Sequence, residues 1–254
     1  MFRDAIRSIL PHGIVAAHQR KFVLDRLGLT DSAELQAAVN GCRYDLWPSF
    51  LRRGAPDWTL VDVGANDGGF LSSTLSLVSP REIFVFEPLP ACQAPLQALV
   101  KSHKKAHVFA CAVGASSGEI EINCTADSKM SSALQPASNI SELYQAGDFE
   151  VLQRHKVPMM RLDDAIPDDI AVDLLKIDVQ GFELEVFRGA EKVLKRTKAV
   201  LLEVNYVEHY EGGALFDSVY SELRSKGFRV FGISAPYGGG RGGPLWADAM
   251  FVSQ

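Results

Sequence analysis

The chain is 254 residues long, 47% hydrophobic and 22% charged, enough for one large or two small soluble domains with a sizeable core. Its net charge of −5 excludes the concentrated basic surface with which a nucleic-acid binder displaces counterions, so no nucleic-acid partner is expected. Four scattered cysteines, Cys42, Cys92, Cys111 and Cys124, form no C-x-x-C pair and argue against a zinc site or a disulfide framework, and no apolar run is long enough for a transmembrane segment; the expected location is cytoplasmic.

Residues 1–55 read as an N-terminal helical extension. Phe2, Ile6, Ile9 and Leu10 share one side at helical spacing, Arg3 and Arg7 lie elsewhere, and "QRKFVLDRLGL" continues as a second basic amphipathic helix. Pro11 interrupts the segment, which also lacks the small-residue cleavage site of a secretory leader. Such helices pack on the edge of a domain or on a partner subunit, which is compatible with a homo-oligomer. Weak association with a membrane surface is the other reading, for which the stretch is short. "RRGAPDW", Arg52 to Trp58, is a turn-rich joint into a second unit, residues 56–254.

From Trp58 onward short apolar runs alternate with helical patterns. "TLVDV", "EIFVFE" and "HVFACAVG" read as strands, with the helices "GGFLSSTLSLV" and "ACQAPLQALVKS" between them. Thr125 to Val157 then interrupts the alternation and reads as a lid or substrate-selecting loop. "VDLLKID", "KAVLLEVN" and "FRVFGI" continue as strands, separated by the helices "ELEVFRGAEKVLKR" and "LFDSVYSELRSKG". A final strand, "WADAMFVSQ", follows the loop "APYGGGRGGPL", whose lone Arg241 among glycines gives no nucleic-acid signal. Continuous Val, Ile and Leu runs mark parallel strands covered on both faces, so the fold class is α/β: a doubly wound, mostly parallel sheet ending in an antiparallel hairpin.

Ligands of such sheets sit beyond the carboxyl ends of the strands, where strand order reverses. "VDVGANDGG" falls at that place: Gly64 and Gly68 permit close backbone approach, and the helix beginning near Gly69 offers unpaired N–H groups. Glu87 ends the next strand, 19 residues after Gly68, where an acid accepts hydrogen bonds from a ribose diol. The turn lacks both the G-x-G-x-x-G of a dinucleotide site and the G-K-[ST] of a triphosphate site. Asp62 and Asp67 would repel phosphate yet suit a cofactor carrying an ammonium and a sulfonium, which points to S-adenosylmethionine.

"VDVGANDGGF", "VFVFEPLPA", "CAVGASSGEIEI", "MSSAL", "RLDDAI", "DLLKIDVQGFELEVFRGA", "LLEVN" and "ADAMFV" resemble, in order, the FkbM-type methyltransferases, with "KIDVQGFELEVFRGA" the most specific part. The resemblance runs from Trp58 to Val252 and implies a class I methyltransferase Rossmann-like fold with O-methylation of a small molecule, sugar or glycan. It implies nothing about residues 1–55.

Position and chemistry assign the remaining roles. Asp62, Gly64 and Asn66 should line the methionine end of the cofactor, Glu87 should hold the ribose, Pro88 should turn the chain away, and Ala112 and Val113 should border the adenine. Ser132, with Ser131, matches the family element "MSSAL" and is a candidate to close over the cofactor. Asp178 ends the strand expected beside the first, where a carboxylate acts as general base or orients the acceptor hydroxyl. Lys176 shares its side of the strand and should pair with an acid, either structurally or as a tuning group. His209 is an alternative base. Glu203 and Asn205 with Asp178 offer oxygen donors to a divalent metal, though at no specific spacing. A cofactor-binding module of the same fold without catalysis, or an NAD-linked enzyme with an atypical glycine turn, are the competing readings.

Overall fold

A computed structural model describes residues 58–144, 147–239 and 243–254. The helices expected in residues 1–55, and Arg241, lie outside the described residues. In chain order come β1 (Thr59–Val63), α1 (Gly69–Leu77), β2 (Glu82–Phe86), α2 (Pro90–Val100), β3 (Ala106–Phe109), β4 (Ala112–Val113) and β5 (Gly118–Thr125). Two short 3-10 turns, Ser128–Met130 and Ile140–Glu142, precede β6 (Val151–Met160), α3 (Leu162–Ala165), β7 (Val172–Ile177), α4 (Glu183–Arg188) and α5 (Glu191–Lys195). The chain closes with β8 (Thr197–Asn205), α6 (Phe216–Ser225), β9 (Phe228–Ile233), β10 (Tyr237–Gly239) and β11 (Gly243–Ser253).

Among the described residues an eight-stranded sheet runs β10-β11-β8-β7-β1-β2-β3, with β9 also on β11. Strand β1 pairs in parallel with β2 on one side and β7 on the other, so strand order reverses there. Strand β8 is parallel to β7, and β11 runs antiparallel between β8 and β9, which gives the expected C-terminal hairpin. The period of two divides the strands between two cores. Leu60, Ile83, Val85, Leu174 and Leu201 pack with Leu71 and Leu96 of α1 and α2, while Val61, Phe84, Leu175 and Val200 pack with Phe187, Phe216 and Leu223 of α4 and α6. Each such buried side chain contributes about 1.5–3 kcal/mol.

Three expectations change. "HVFACAVG" is two strands: after β3 the chain leaves the main sheet, and β4 joins β6 and β5 in a second, three-stranded sheet. The supposed loop from Thr125 to Val157 therefore starts on the last residue of β5 and ends inside β6, which runs antiparallel to β5. Its partner alternates: Glu119 and Glu121 face out toward Lys156 at 2.6 Å and Arg154 at 3.6 Å, while Ile120 and Ile122 face in. "ELEVFRGAEKVLKR" is also two helices, ending at Arg188 and restarting at Glu191, and at the joint a Cβ on Gly189 would stand 2.0 Å from the Gly114 carbonyl oxygen. The second starts on the Asp163 carboxylate, which accepts the N–H groups of Lys192 and Val193 at 2.9 Å. No helix of the described residues is long and apolar enough to cross a membrane.

Candidate functional site

The turn after β1 is dictated by crowding. Gly64 has φ 73, and a Cβ there would lie 1.8 Å from the backbone oxygen of Asp178, so the end of β1 touches the end of β7 with no room for a side chain. Gly68, φ 84, serves packing instead: its Cβ would meet Leu99 of α2 at 2.3 Å, and it does not line the central cavity. Asn66 is left-handed as well, with φ 48, and its N–H donates to Glu87 Oε2 at 2.8 Å.

Glu87 thus has two tasks. Its Oε1 accepts the Leu89 N–H at 2.8 Å, so the carboxylate ties the β1 turn to the start of α2 while each oxygen keeps a free lone pair. Burial raises its pKa above the ordinary carboxylate range, and the two backbone donors oppose that rise.

At the end of β7, Lys176 Nζ donates to the Gly64 carbonyl at 2.8 Å and stands 3.3 Å from Asp62 Oδ1 and 3.5 Å from Asp178 Oδ2. Burial disfavours the ammonium, but the two carboxylates outweigh it and hold the pKa above its usual value. The acid partner expected for Lys176 is therefore present twice. Asp62 departs from expectation: its side chain is fully buried behind Lys176 and does not line the cavity.

Gln180, which the sequence reading passed over, connects the rest. Its φ is 54, and this turn aims its amide back along β7. Nε2 donates to Asp178 Oδ1 at 2.7 Å and lies 3.4 Å from Glu203 Oε1, while the Tyr210 hydroxyl is 2.9 Å from Gln180 Oε1. The Ser132 hydroxyl donates to the Gln180 carbonyl at 2.6 Å, so the "MSSAL" segment is bound to the end of β7. Ser128 reaches Asn66 Oδ1 at 3.2 Å, fastening the same segment to the glycine turn.

These groups surround one cavity of about 450 Å³. Gly64, Asn66, Glu87 and Pro88 line it from beyond β1 and β2, and Ala112, Val113 and Ser132 line it as well. Ala112 and Val113 reach it from β4 of the second sheet, not from the third strand of the main one, and Ile120 and Ile122 of β5 join them. Lys176, Asp178, Gln180, Glu203 and Trp246 complete the lining from β7, the turn after it, β8 and β11. Among the described residues no group of three or more His, Cys, Asp or Glu is arranged to hold a metal ion, and Asn205 does not line the cavity.

His209 lies apart from the cavity lining, buried beside Tyr144, Phe149 and Tyr210. A carbonyl only accepts, so Nδ1 carries the proton to Val207 O at 2.9 Å, and Nε2 accepts from the Tyr144 hydroxyl at 2.6 Å. Burial lowers its pKa to about 4, opposed by the Val207 bond, and the imidazole is neutral at ordinary pH.

Comparison with known proteins agrees with this geometry. Residues 62–230 match the Methyltransferase FkbM domain. The chain is 31% identical to 2-O-methyltransferase NoeI of Sinorhizobium fredii over 166 residues, covering 62% of this chain and 67% of that protein. It is 30% identical to the 31-O-demethyl-FK506 methyltransferase FkbM of Streptomyces tacrolimicus over 212 residues, covering 74% and 80%. The crystal structure of methyltransferase FkbM from Methylobacillus flagellatus aligns with a TM-score of 0.56 at 15% identity, over 93% of this chain and 58% of that one, and shares its class I Rossmann-like fold. A family match across most of the sheet, together with a glycine turn, a strand-end acid and a cavity at the point of strand reversal, shows that the chain belongs to the FkbM methyltransferase family.

Proposed function

We propose that the protein moves a methyl group from S-adenosylmethionine to a hydroxyl oxygen of a small molecule, sugar or glycan. The observation that carries this is the union, in one cavity, of a turn and strand-end acid suited to a nucleoside, Gly64, Asn66 and Glu87, with the further acids Asp178 and Glu203. The residues fit the cofactor. Glu87 keeps acceptor capacity for a ribose diol, and Asp67 at the rim adds negative charge. Ala112, Val113, Ile120 and Ile122 give an apolar wall for a base.

S-adenosylmethionine, when bound, supplies an electrophilic methyl on a sulfonium whose thioether leaves without acid assistance. The chain's own work is positioning and handling the acceptor proton. Lys176 and Gln180 hold Asp178 from two sides, so its carboxylate presents a fixed direction to an acceptor hydroxyl. The alcohol reading is supported by the names of the two relatives, one a 2-O-methyltransferase and the other a methyltransferase of 31-O-demethyl-FK506. The protein acts as a methyltransferase on a small-molecule or glycan acceptor in the cytoplasm.

Calorimetry with S-adenosylmethionine and with NAD tests the cofactor: binding of the first alone is expected, and binding of NAD alone would replace this reading. Labelled S-adenosylmethionine offered with a panel of methyl glycosides, polyols and cell metabolites tests the acceptor, and label on nitrogen alone would overturn the hydroxyl assignment.

A further inference from the structure

We infer that Glu203, sharing one proton with Asp248, takes the proton of the acceptor hydroxyl, and that Asp178 positions that hydroxyl. This rests on the methyl-transfer reading above and concerns residues to which that reading gives no role in moving the proton.

The two carboxyls are neighbours by register. Asp248 of β11 lies directly opposite Glu203 of β8 in an antiparallel pair, which places both side chains on one face with Cβ atoms about 4.5–5.5 Å apart. That face is the one that opens on the cavity, since Glu203 and Trp246 both line it. Among the described residues no ion pair reaches either carboxyl; Lys176 is held by Gly64 O, Asp62 and Asp178.

Other negative groups surround the pair. Asp178 beyond β7 and Glu183 of α4 act on Glu203, and Asp178 acts on Asp248, with Lys176 the opposing cation and the Gln180 amide the nearest donor. Two carboxyls so placed cannot both ionise readily, so one proton stays with them. Burial first, and then these charges, raise both acids, Glu203 well above the ordinary carboxylate range and Asp248 to about 6, so the proton rests on Glu203 and Asp248 is the member that ionises first.

Asp178 is the poorer proton acceptor on geometry alone. Its oxygens are engaged by Gln180 at 2.7 Å and by Lys176 at 3.5 Å, whereas Glu203 has only the long 3.4 Å contact with the same amide. As the acceptor oxygen bonds to the methyl carbon, the carbon–sulfur bond breaks with its electron pair left on sulfur, and the hydroxyl proton passes to Glu203 as the proton Glu203 already holds moves on to the ionised Asp248. The count closes with a neutral ether, a neutral thioether and one added proton on the carboxyl pair.

Carboxyl carbon NMR of isotopically labelled protein with S-adenosylhomocysteine tests the pair without an acceptor. In the wild type one proton should persist on Glu203 and Asp248 through neutral pH, and Glu203→Gln or Asp248→Asn should each leave a single carboxyl titrating alone. Ionisation of both below about pH 5, the ordinary carboxylate range, overturns the sharing. On the glycoside and polyol panel, Glu203→Gln should lose about 100-fold or more in single-turnover rate. It should also flatten the pH profile, which Asp248→Asn should shift. Profiles unchanged in both variants overturn the base assignment. Wild type that fails to bind S-adenosylhomocysteine would instead defeat the methyl-transfer reading, and the carboxyl titration would still report on the pair.

Discussion

Two parts of the cavity lining are made in different ways. The turn after β1 is backbone: Gly64 pressed against Asp178 O, and N–H groups of Asn66 and Leu89 gathered on one buried acid. The acid-lined part is side chain: Asp178, Gln180, Glu203 and Trp246 converge from β8, β11 and the turn after β7, held by polar bonds and by charges with few counterions. A backbone-built site resists substitution because its atoms belong to every sequence of that fold. A side-chain site is re-specified by changing a few residues.

The contrast predicts a graded set of failures. Gly64→Ala should do the most damage, because its Cβ would fall 1.8 Å from backbone in a left-handed turn; a loss of about 4 kcal/mol or more is expected by denaturant unfolding. A variant that unfolds like the wild type would show that the crossing of β1 and β7 can yield.

Acid should strain the opposite side next. Above about pH 6.5 the His209 imidazole is neutral whether the chain is folded or not. As pH falls toward 4 the unfolded chain takes up the proton and the folded one, with its pKa lowered to about 4, does not. Stability attributable to His209 is thus complete above 6.5 and falls by about 3 kcal/mol by pH 4. Glu183, pushed up to about 7, and Asp248, at about 6, act in the other sense: the folded protein holds protons that the unfolded one releases, and their contribution is lost as pH rises through those values. The difference between wild type and His209→Gln, followed by denaturation across this range, isolates the histidine; parallel curves would refute its buried neutral state.

Asp178→Asn should lower single-turnover methyl transfer about 100-fold, the scale of a misplaced acceptor, while cofactor affinity stays within a few-fold. An equal loss of cofactor affinity would mean that Asp178 serves cofactor binding as well as the acceptor. Glu87→Gln should do the converse at the smallest scale. It retains one carbonyl acceptor for the loop, removes the charge, and should weaken S-adenosylmethionine binding by about 2 kcal/mol with the fold intact, as calorimetry would report.

The same contrast explains what could be read in advance. The glycine turn, Glu87 and the Lys176–Asp178 pair were legible because each lies within or just beyond one apolar run, where spacing fixes the place. Strand β5 carried a signal too, the alternation of Glu119, Ile120, Glu121 and Ile122, but a search for continuous apolar runs passes over a strand with one wet face. Its partner β6 is mostly exposed, so its residues looked like loop. Asp62 misled because a strand-end acid looks alike whether it faces the ligand or the lysine behind it. The Gln180 contacts and the pairing of Glu203 with Asp248 depend on a left-handed turn and on a register set 45 residues apart, neither of which local pattern records.

Asn66 and Gln180, the two non-glycine residues with left-handed backbone among those described, stand at the ends of the adjacent strands β1 and β7. Each conformation costs about 1 kcal/mol or more relative to a relaxed turn, and glycine would remove that cost. Replacing Gln180 with glycine should therefore ease the backbone while deleting the amide that aligns Asp178. On the methyl-transfer reading, engineering for heat tolerance at Gln180 would trade turnover for melting temperature, whereas glycine at Asn66 keeps the N–H that Glu87 accepts.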